Sequence, residues 1–300
     1  MIKAVNVSKR FDDIQAVDSI SLEIKPGIVY GLIGTNGAGK STFLRMLSGV
    51  YKPDTGSVTI DGEDVFENPN AKKKFMYISD DAYYFSNSTP MDMCAYYKTV
   101  YEKFDEPRFE ELLKRFNLEK NRKIKTFSKG MKKQLSMLLG VCAGTDYLFC
   151  DETFDGLDPV MRQAMKSILA NEITERNLTP IIASHNLREL EDICDCVGLL
   201  HKGDVILSKD MDEMKGNIYK VQVVFKENTD VNEILSKLAI INRDQRGSLM
   251  TLTVRGTEDE IMDIINAYNP VFCEALTLSL EEIFISETEV IGYDIKSLIY

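Results

Sequence analysis

One stretch limits this chain more than any other: Gly34, Thr35, Asn36, Gly37, Ala38, Gly39, Lys40, Ser41 and Thr42. It follows the pattern G-x-x-x-x-G-K-[ST], in which glycines let backbone N–H groups close around phosphate oxygens. The apolar run from Ile28 to Ile33 before it reads as a buried strand. After it, Phe43, Leu44, Met46, Leu47 and Val50 recur at the period of a helix. Strand, glycine loop and helix form the context the motif needs, and the helix N-terminus adds about half a positive charge. In that frame Lys40 reaches the β- and γ-phosphates and the Ser41 hydroxyl ligates Mg²⁺. The chain is expected to bind a nucleotide on an α/β, phosphate-loop NTPase core.

Such a loop needs carboxylates on a neighbouring strand. Asp146 to Glu152 is an apolar strand that ends in two of them. Asp151 is placed to hold Mg²⁺ through water. Glu152, one residue on, faces the attacking water as general base, a role worth about 10²–10⁴-fold. The other reading of the pair is a helix N-cap. A further apolar strand, Pro180 to Ala183, ends in Ser184-His185. That puts His185 on the carboxyl edge of the sheet, where it is expected to meet the γ-phosphate. Asp80 and Asp81 follow the short strand Phe75 to Ile78 and read either as metal-facing carboxylates or as a capped turn. Phe11, at the end of an N-terminal β-rich stretch, reads equally as an adenine-stacking ring or as a core side chain.

Along the chain, strands are expected from Ile2 to Val7, ending at Ser8–Phe11, from Ala16 to Ile24, and from Ser57 to Ile60. Residues of about 82–144 turn helical, with segments at Met91–Tyr101, Pro107–Phe116 and Lys129–Leu139. Tyr83, Tyr84, Phe85, Tyr96, Tyr97 and Tyr101 crowd this region, as a small core or as a docking surface. Polar residues from Ser208 to Asn217 suggest a boundary, giving domains 1–215 and 216–300. The second reads β-α-β-β-α-β, with Thr257 and Glu260 as a capping box, and suggests a small α+β, ferredoxin-like accessory domain. It carries no catalytic spacing. The formal net charge of −11 argues against nucleic acid as a partner. No run of about 18 apolar residues spans a bilayer, and the start lacks a signal-peptide core. The six cysteines show no paired metal-binding spacing and read as buried thiols of a reducing cytosol.

Taken together, these residues resemble the ATP-binding cassette family, the nucleotide-binding subunits of membrane transporters, over about residues 2 to 215. Phe127-Ser128-Lys129-Gly130-Met131 stands where that family's signature, usually L-S-G-G-Q, belongs. Asp155-Gly-Leu-Asp158 resembles the loop that couples two subunits. The resemblance gives Phe11 the adenine contact, Asp151 and Glu152 the magnesium and base roles, and His185 the switch role. It puts Asp80 at or near the magnesium-sensing glutamine. A carboxylate there can bind Mg²⁺ through water but cannot donate a hydrogen bond. It implies ATP and Mg²⁺ as cofactors and a second nucleotide-binding subunit, a homodimer in the simplest form. Ser128, Lys129 and Gly130 of one subunit would then close on the ATP held by the other. It further implies integral-membrane permease partners, a cytoplasmic position on the inner face of the membrane, and ATP hydrolysis coupled to transport. The S-K-G-M variant is similar to the bacterial branch that exports drugs, peptide antibiotics or bacteriocins. Lys129 and Met131 depart from the family pattern, and Lys129 adds bulk and charge at the closing surface. The competing reading is a soluble cassette ATPase with no permease. The span between Lys40 and Asp151 is too short for the coiled coil of chromosome-maintenance relatives, and no N-K-x-D guanine contact is present.

Overall fold

A computed structural model describes residues 1–226 and 229–290, apart from the side chains at 206, 207, 212 and 287–290. The chain forms two compact units, Met1–Ser208 and Lys209–Tyr300, and residues 291–300 of the second lie outside the described residues. The first unit opens with β1 (Ile2–Phe11) and β2 (Ile14–Ile24), then β3 (Tyr30–Ile33), α1 (Lys40–Leu47), β4 (Thr55–Ile60) and β5 (Glu63–Asp64). Next come α2 (Pro69–Lys72), β6 (Phe75–Ile78), α3 (Pro90–Val100), α4 (Glu106–Arg115), α5 (Lys129–Cys142) and β7 (Tyr147–Asp151). It closes with α6 (Pro159–Arg176), β8 (Thr179–Ser184), α7 (Leu187–Glu191), β9 (Cys196–His201) and β10 (Asp204–Asp210), whose last residues cross into the second unit.

The two sheets of this unit follow from their sequences. β3, β7 and β8 are buried at every position. Continuous apolar runs of this kind belong to parallel strands covered on both faces. They sit inside a six-stranded sheet of order β10-β9-β3-β8-β7-β6, where β3 pairs parallel with β8 and β9, and β7 with β6 and β8. β1 and β2 instead alternate buried and exposed residues over much of their length, and form an antiparallel sheet, β2-β1-β4-β5. Helix α1 joins the two layers: Phe43, Leu44, Met46 and Leu47 share one buried cluster with Ile2, Val7 and Ile20 of the antiparallel sheet and Leu32, Phe149 and Ile181 of the parallel one.

β1 does not stop at Val7. It runs on to Phe11 through a register break near Asn6, whose φ is 48°. A bulge lets a strand bend and continue where sequence alternation lapses. The helical stretch stands between the paired neighbours β6 and β7, so it is an insertion into the parallel sheet. Its helices start where capping chemistry says they should. Thr89 and Asp92 form a capping box with Pro90 in the first turn, and Asp105 caps α4 ahead of Pro107. The aromatics run edge to face from Tyr83 through Phe85 and Tyr96 to Tyr97, which meets Phe104 at a tilt, and Phe104 meets Phe109 edge to face. Phe109 is fully buried, while Tyr83 is 77% exposed. One end of the series is therefore core and the other is surface.

The second unit contains α8 (Met211–Lys215), β11 (Ile218–Val224), α9 (Val231–Ser236), β12 (Ala239–Arg246), β13 (Leu249–Arg255), α10 (Glu258–Asn266), β14 (Phe272–Thr277) and α11 (Leu280–Val290). Its antiparallel sheet has the order β12-β13-β11-β14. Val221, Val223, Leu252 and Val254 of the sheet pack with Ile234, Ile261 and Ile265 of α9 and α10. Thr257 and Glu260 form the expected capping box at the start of α10.

Candidate active site

The site is built on the carboxyl ends of the parallel strands. The glycine loop leaves β3 and becomes α1. Gly37 and Gly39 have φ of 81° and 104°, and a Cβ on Gly39 would lie 2.3 Å from the Ala16 carbonyl oxygen. Only glycine combines that conformation with that approach. The Phe43 amide donates to the Gly39 carbonyl (2.8 Å), which starts α1 directly at Lys40. No side chain caps this N-terminus, so its first amides are free to meet an anion.

Lys40 is buried, and its Nζ donates to the carbonyls of Gly34 (2.8 Å) and Thr35 (3.1 Å) and lies 3.5 Å from Glu152 Oε1. Ser41 Oγ donates to Asp151 Oδ1 at 2.8 Å, and the Tyr77 hydroxyl donates to Asp151 Oδ2 at 2.8 Å. Burial, with the charge of Asp151 beside it, pushes the Tyr77 hydroxyl well above the usual phenol range. Tyr77 therefore stays a neutral donor that fixes the Asp151 carboxylate. Glu152, just past the end of β7, has φ of 51°, an uncommon conformation for a residue with a side chain. Its Oε2 is 2.8 Å from His185 Nδ1, and one ligand atom from each of Glu152, Asp155 and His185 lies within 4.8 Å of the others.

A cavity of about 660 Å³ gathers these groups. Asn36 to Thr42, Asp80, Glu152, Asp155 and His185 line it, together with Ile14, Gln15, Ala16 and Lys202. Asp151 lies beneath, reached through Ser41, and Gly34 and Thr35 form the root of the loop. Asp80 Oδ1 makes an ion pair with Lys133 Nζ at 2.8 Å. Phe11 is not in the lining: it pairs with Ile14 across the β1–β2 turn, meets Tyr51 edge to face, and stays 38% exposed. Ser128, Lys129 and Gly130 are also outside the lining. Ser128 caps α5 through its bond from the Met131 amide, and a Cβ on Gly130 would come 3.7 Å from the Gly156 carbonyl. Sequence reasoning missed Tyr77, Lys133 and the buried Glu189. Glu189 accepts from Ser184 Oγ (3.2 Å) and Asn186 Nδ2 (3.1 Å), the two residues flanking His185. For Lys133 a signal existed. Lys129, Lys132 and Lys133 crowd the start of α5 with no acidic residue in its first turn, against the helix dipole.

Over residues 17–155 the chain matches the family pattern of ABC transporters. It is 30% identical over 287 residues to the ABC transporter ATP-binding protein YtrB of Bacillus subtilis, covering 96% of this chain and 98% of that one. The chain belongs to the ABC transporter family. Within that family it is an ATP-binding subunit, and it is an ATPase. A second relative is the bacitracin transport ATP-binding protein BcrA of Bacillus licheniformis, 30% identical over 218 residues, or 72% of this chain and 71% of that one. A solved ATP-binding subunit of an ABC transporter shares the fold, with a TM-score of 0.66 and 23% identity over 72% of this chain and 92% of the other. ABC ATP-binding subunits work as dimers with membrane permeases. Among the described residues no helix is long and apolar enough to cross a membrane.

Proposed function

We propose that this chain energises a separate membrane permease, as one of two copies that close over ATP from the cytoplasmic face of the membrane. The observation that carries the chemistry is the convergence of Lys40, Ser41, Glu152 and His185 on one cavity, with Asp151 directly beneath. In this reading Lys40 neutralises the β- and γ-phosphates, and the free amides at the start of α1 share the charge. Ser41 and Asp151 offer a hydroxyl and a carboxylate 2.8 Å apart, a hard-oxygen pair suited to Mg²⁺. The ion would supply charge neutralisation at the phosphates. Glu152 takes the proton of the attacking water, and His185, hydrogen-bonded to Glu152, orients it and faces the γ-phosphate. Phe11 pairs with the lining residue Ile14, which supports a contact with the adenine. Asp80 lines the cavity while paired with Lys133, and from there it is proposed to reach the metal through water.

Ser128, Lys129 and Gly130 have no place in the cavity of their own chain. That supports a composite site in which one copy's signature completes its partner's. BcrA, named for bacitracin transport, supports an exported cargo of the drug or peptide-antibiotic class. The unit 216–300 is proposed as an accessory ferredoxin-like domain, since its strand order β12-β13-β11-β14 and β-α-β-β-α-β sequence suit that arrangement.

The test is a membrane pull-down with a tagged Glu152→Gln chain and ATP, which should hold the closed dimer. A polytopic protein in near-equal amount is the expected result. A clean soluble dimer with no membrane partner would overturn the permease assignment and favour a soluble cassette ATPase.

A further inference from the structure

Lys133 sits in the second turn of α5 and is only 4% exposed. Burial opposes a lysine there, because a buried ammonium is unfavourable unless it is paired and hydrogen-bonded. Its partners account for its presence: Lys133 Nζ donates to the Glu152 carbonyl at 2.7 Å and is 2.8 Å from Asp80 Oδ1.

Both partners stand at the cavity. Asp80 follows β6, where the helical insertion begins, and α5 is the insertion's last helix before β7. Lys133 therefore ties the insertion's entry and its final helix to the end of the strand that carries Glu152. Glu152 has a left-handed backbone, which persists only where its surroundings over-determine it. Its amide donates to the Ala183 carbonyl (3.0 Å), its carboxylate faces Lys40 and His185, and its carbonyl is the end that Lys133 grips.

We infer that Lys133 is a positioning residue for ATP hydrolysis: paired with Asp80, it holds the Glu152 backbone so that the carboxylate faces the cavity. It makes that geometry depend on where α5 stands. A shift of α5 moves the ammonium away from the Glu152 carbonyl without disturbing Lys40 or the phosphate loop. The inference rests on the proposal that Glu152 is the base.

The test is a set of variants assayed for ATP affinity and for single-turnover hydrolysis in the full chain. Lys133→Met is expected to lower the hydrolysis rate by roughly 10–100-fold, the range a small misplacement of a reacting group produces, with ATP affinity unchanged. Lys133→Arg should recover part of the rate. In a Glu152→Gln background Lys133→Met should cost nothing further, because both changes remove one function. Asp80→Asn, which keeps an oxygen acceptor for Lys133 at a half-exposed position, should give a smaller loss that also vanishes in that background, and it carries the test if Lys133→Met does not fold. A full rate in both single variants, or a loss that persists in the Glu152→Gln background, would overturn the inference and leave the base assignment standing. Wild-type hydrolysis by Glu152→Gln alone would instead remove the base assignment, and this inference with it.

Discussion

The two units spend buried charge in opposite ways. In Met1–Ser208, Lys40, Lys133, Asp151, Lys166, Glu172 and Glu189 are all buried. Among the described residues of Lys209–Tyr300 the only buried polar side chain is Ser286. Each buried charge in the first unit has a partner. Lys166 meets Asp192, Glu172 lies between Arg108 and Arg176, and Glu189 faces Arg162. Charges of the second unit pair at its surface instead, as in Lys237 with Glu233 and Lys220 with Glu282. Burying an ion pair seldom stabilises a fold more than apolar packing of the same volume would. The first unit therefore keeps these groups for what they position. The second, with an apolar core and conventional caps, is built for shape.

The largest expected effect tests the first half of that contrast. Glu152→Gln keeps the size of the side chain and removes its basicity. Steady-state phosphate release should fall by about 10²–10⁴-fold, with ATP still bound. A rate near wild type would remove Glu152 as the base, and with it the reason for the charge gathered around its carboxylate. The next effect tests the second half. Leu252 is fully buried in the core of the second unit, and Leu252→Ala should cost about 2–5 kcal/mol of that unit's stability, read in its thermal or urea transition. ATP turnover should stay unchanged at temperatures where the unit remains folded. A parallel loss of turnover would break the contrast by making the second unit part of the hydrolytic machinery.

What the sequence discloses divides along a related line. The glycine loop, the Asp151-Glu152 strand end and His185 are legible because each is a short run of consecutive residues with its own local geometry. The order of elements in the second unit is legible because alternation and the Thr257–Glu260 box are local too. The pairings between distant segments are not. Nothing in the spacing of Tyr77 and Asp151 announces that one hydroxyl fixes the other's carboxylate, since that contact needs β6 and β7 to be neighbours in register. Lys133, Asp80 and Glu152 lie on three segments that meet only once the insertion has folded back. The continuation of β1 to Phe11 was hidden for a different reason: a bulge shifts the alternation on which strand reading depends.

The smallest expected effect separates the units by alkali. In the first unit burial pushes the thiols of Cys142, at the end of α5, and Cys150, on β7, up to about 12. Burial also raises the hydroxyls of Tyr30 and Tyr84. In the unfolded chain those thiols ionise near 9. Between 9 and 12 the unfolded state therefore holds fewer protons than the folded one, and raising the pH draws the equilibrium toward unfolding. The stabilisation is fully present below about 9 and is lost as the pH climbs through that window, by at most about 1.4 kcal/mol per pH unit for each thiol. The second unit's one cysteine, Cys273, is half-buried, and burial raises its thiol in the same direction. Urea transitions followed from pH 8 to pH 10.5 should show the first unit losing stability faster than the second, and Cys150→Ala should reduce that slope even though it costs stability below pH 9. Equal slopes in the two units would show that their interiors oppose charge to the same degree, and the first unit's buried ions would then face no greater desolvation cost than an ion placed in the second unit would.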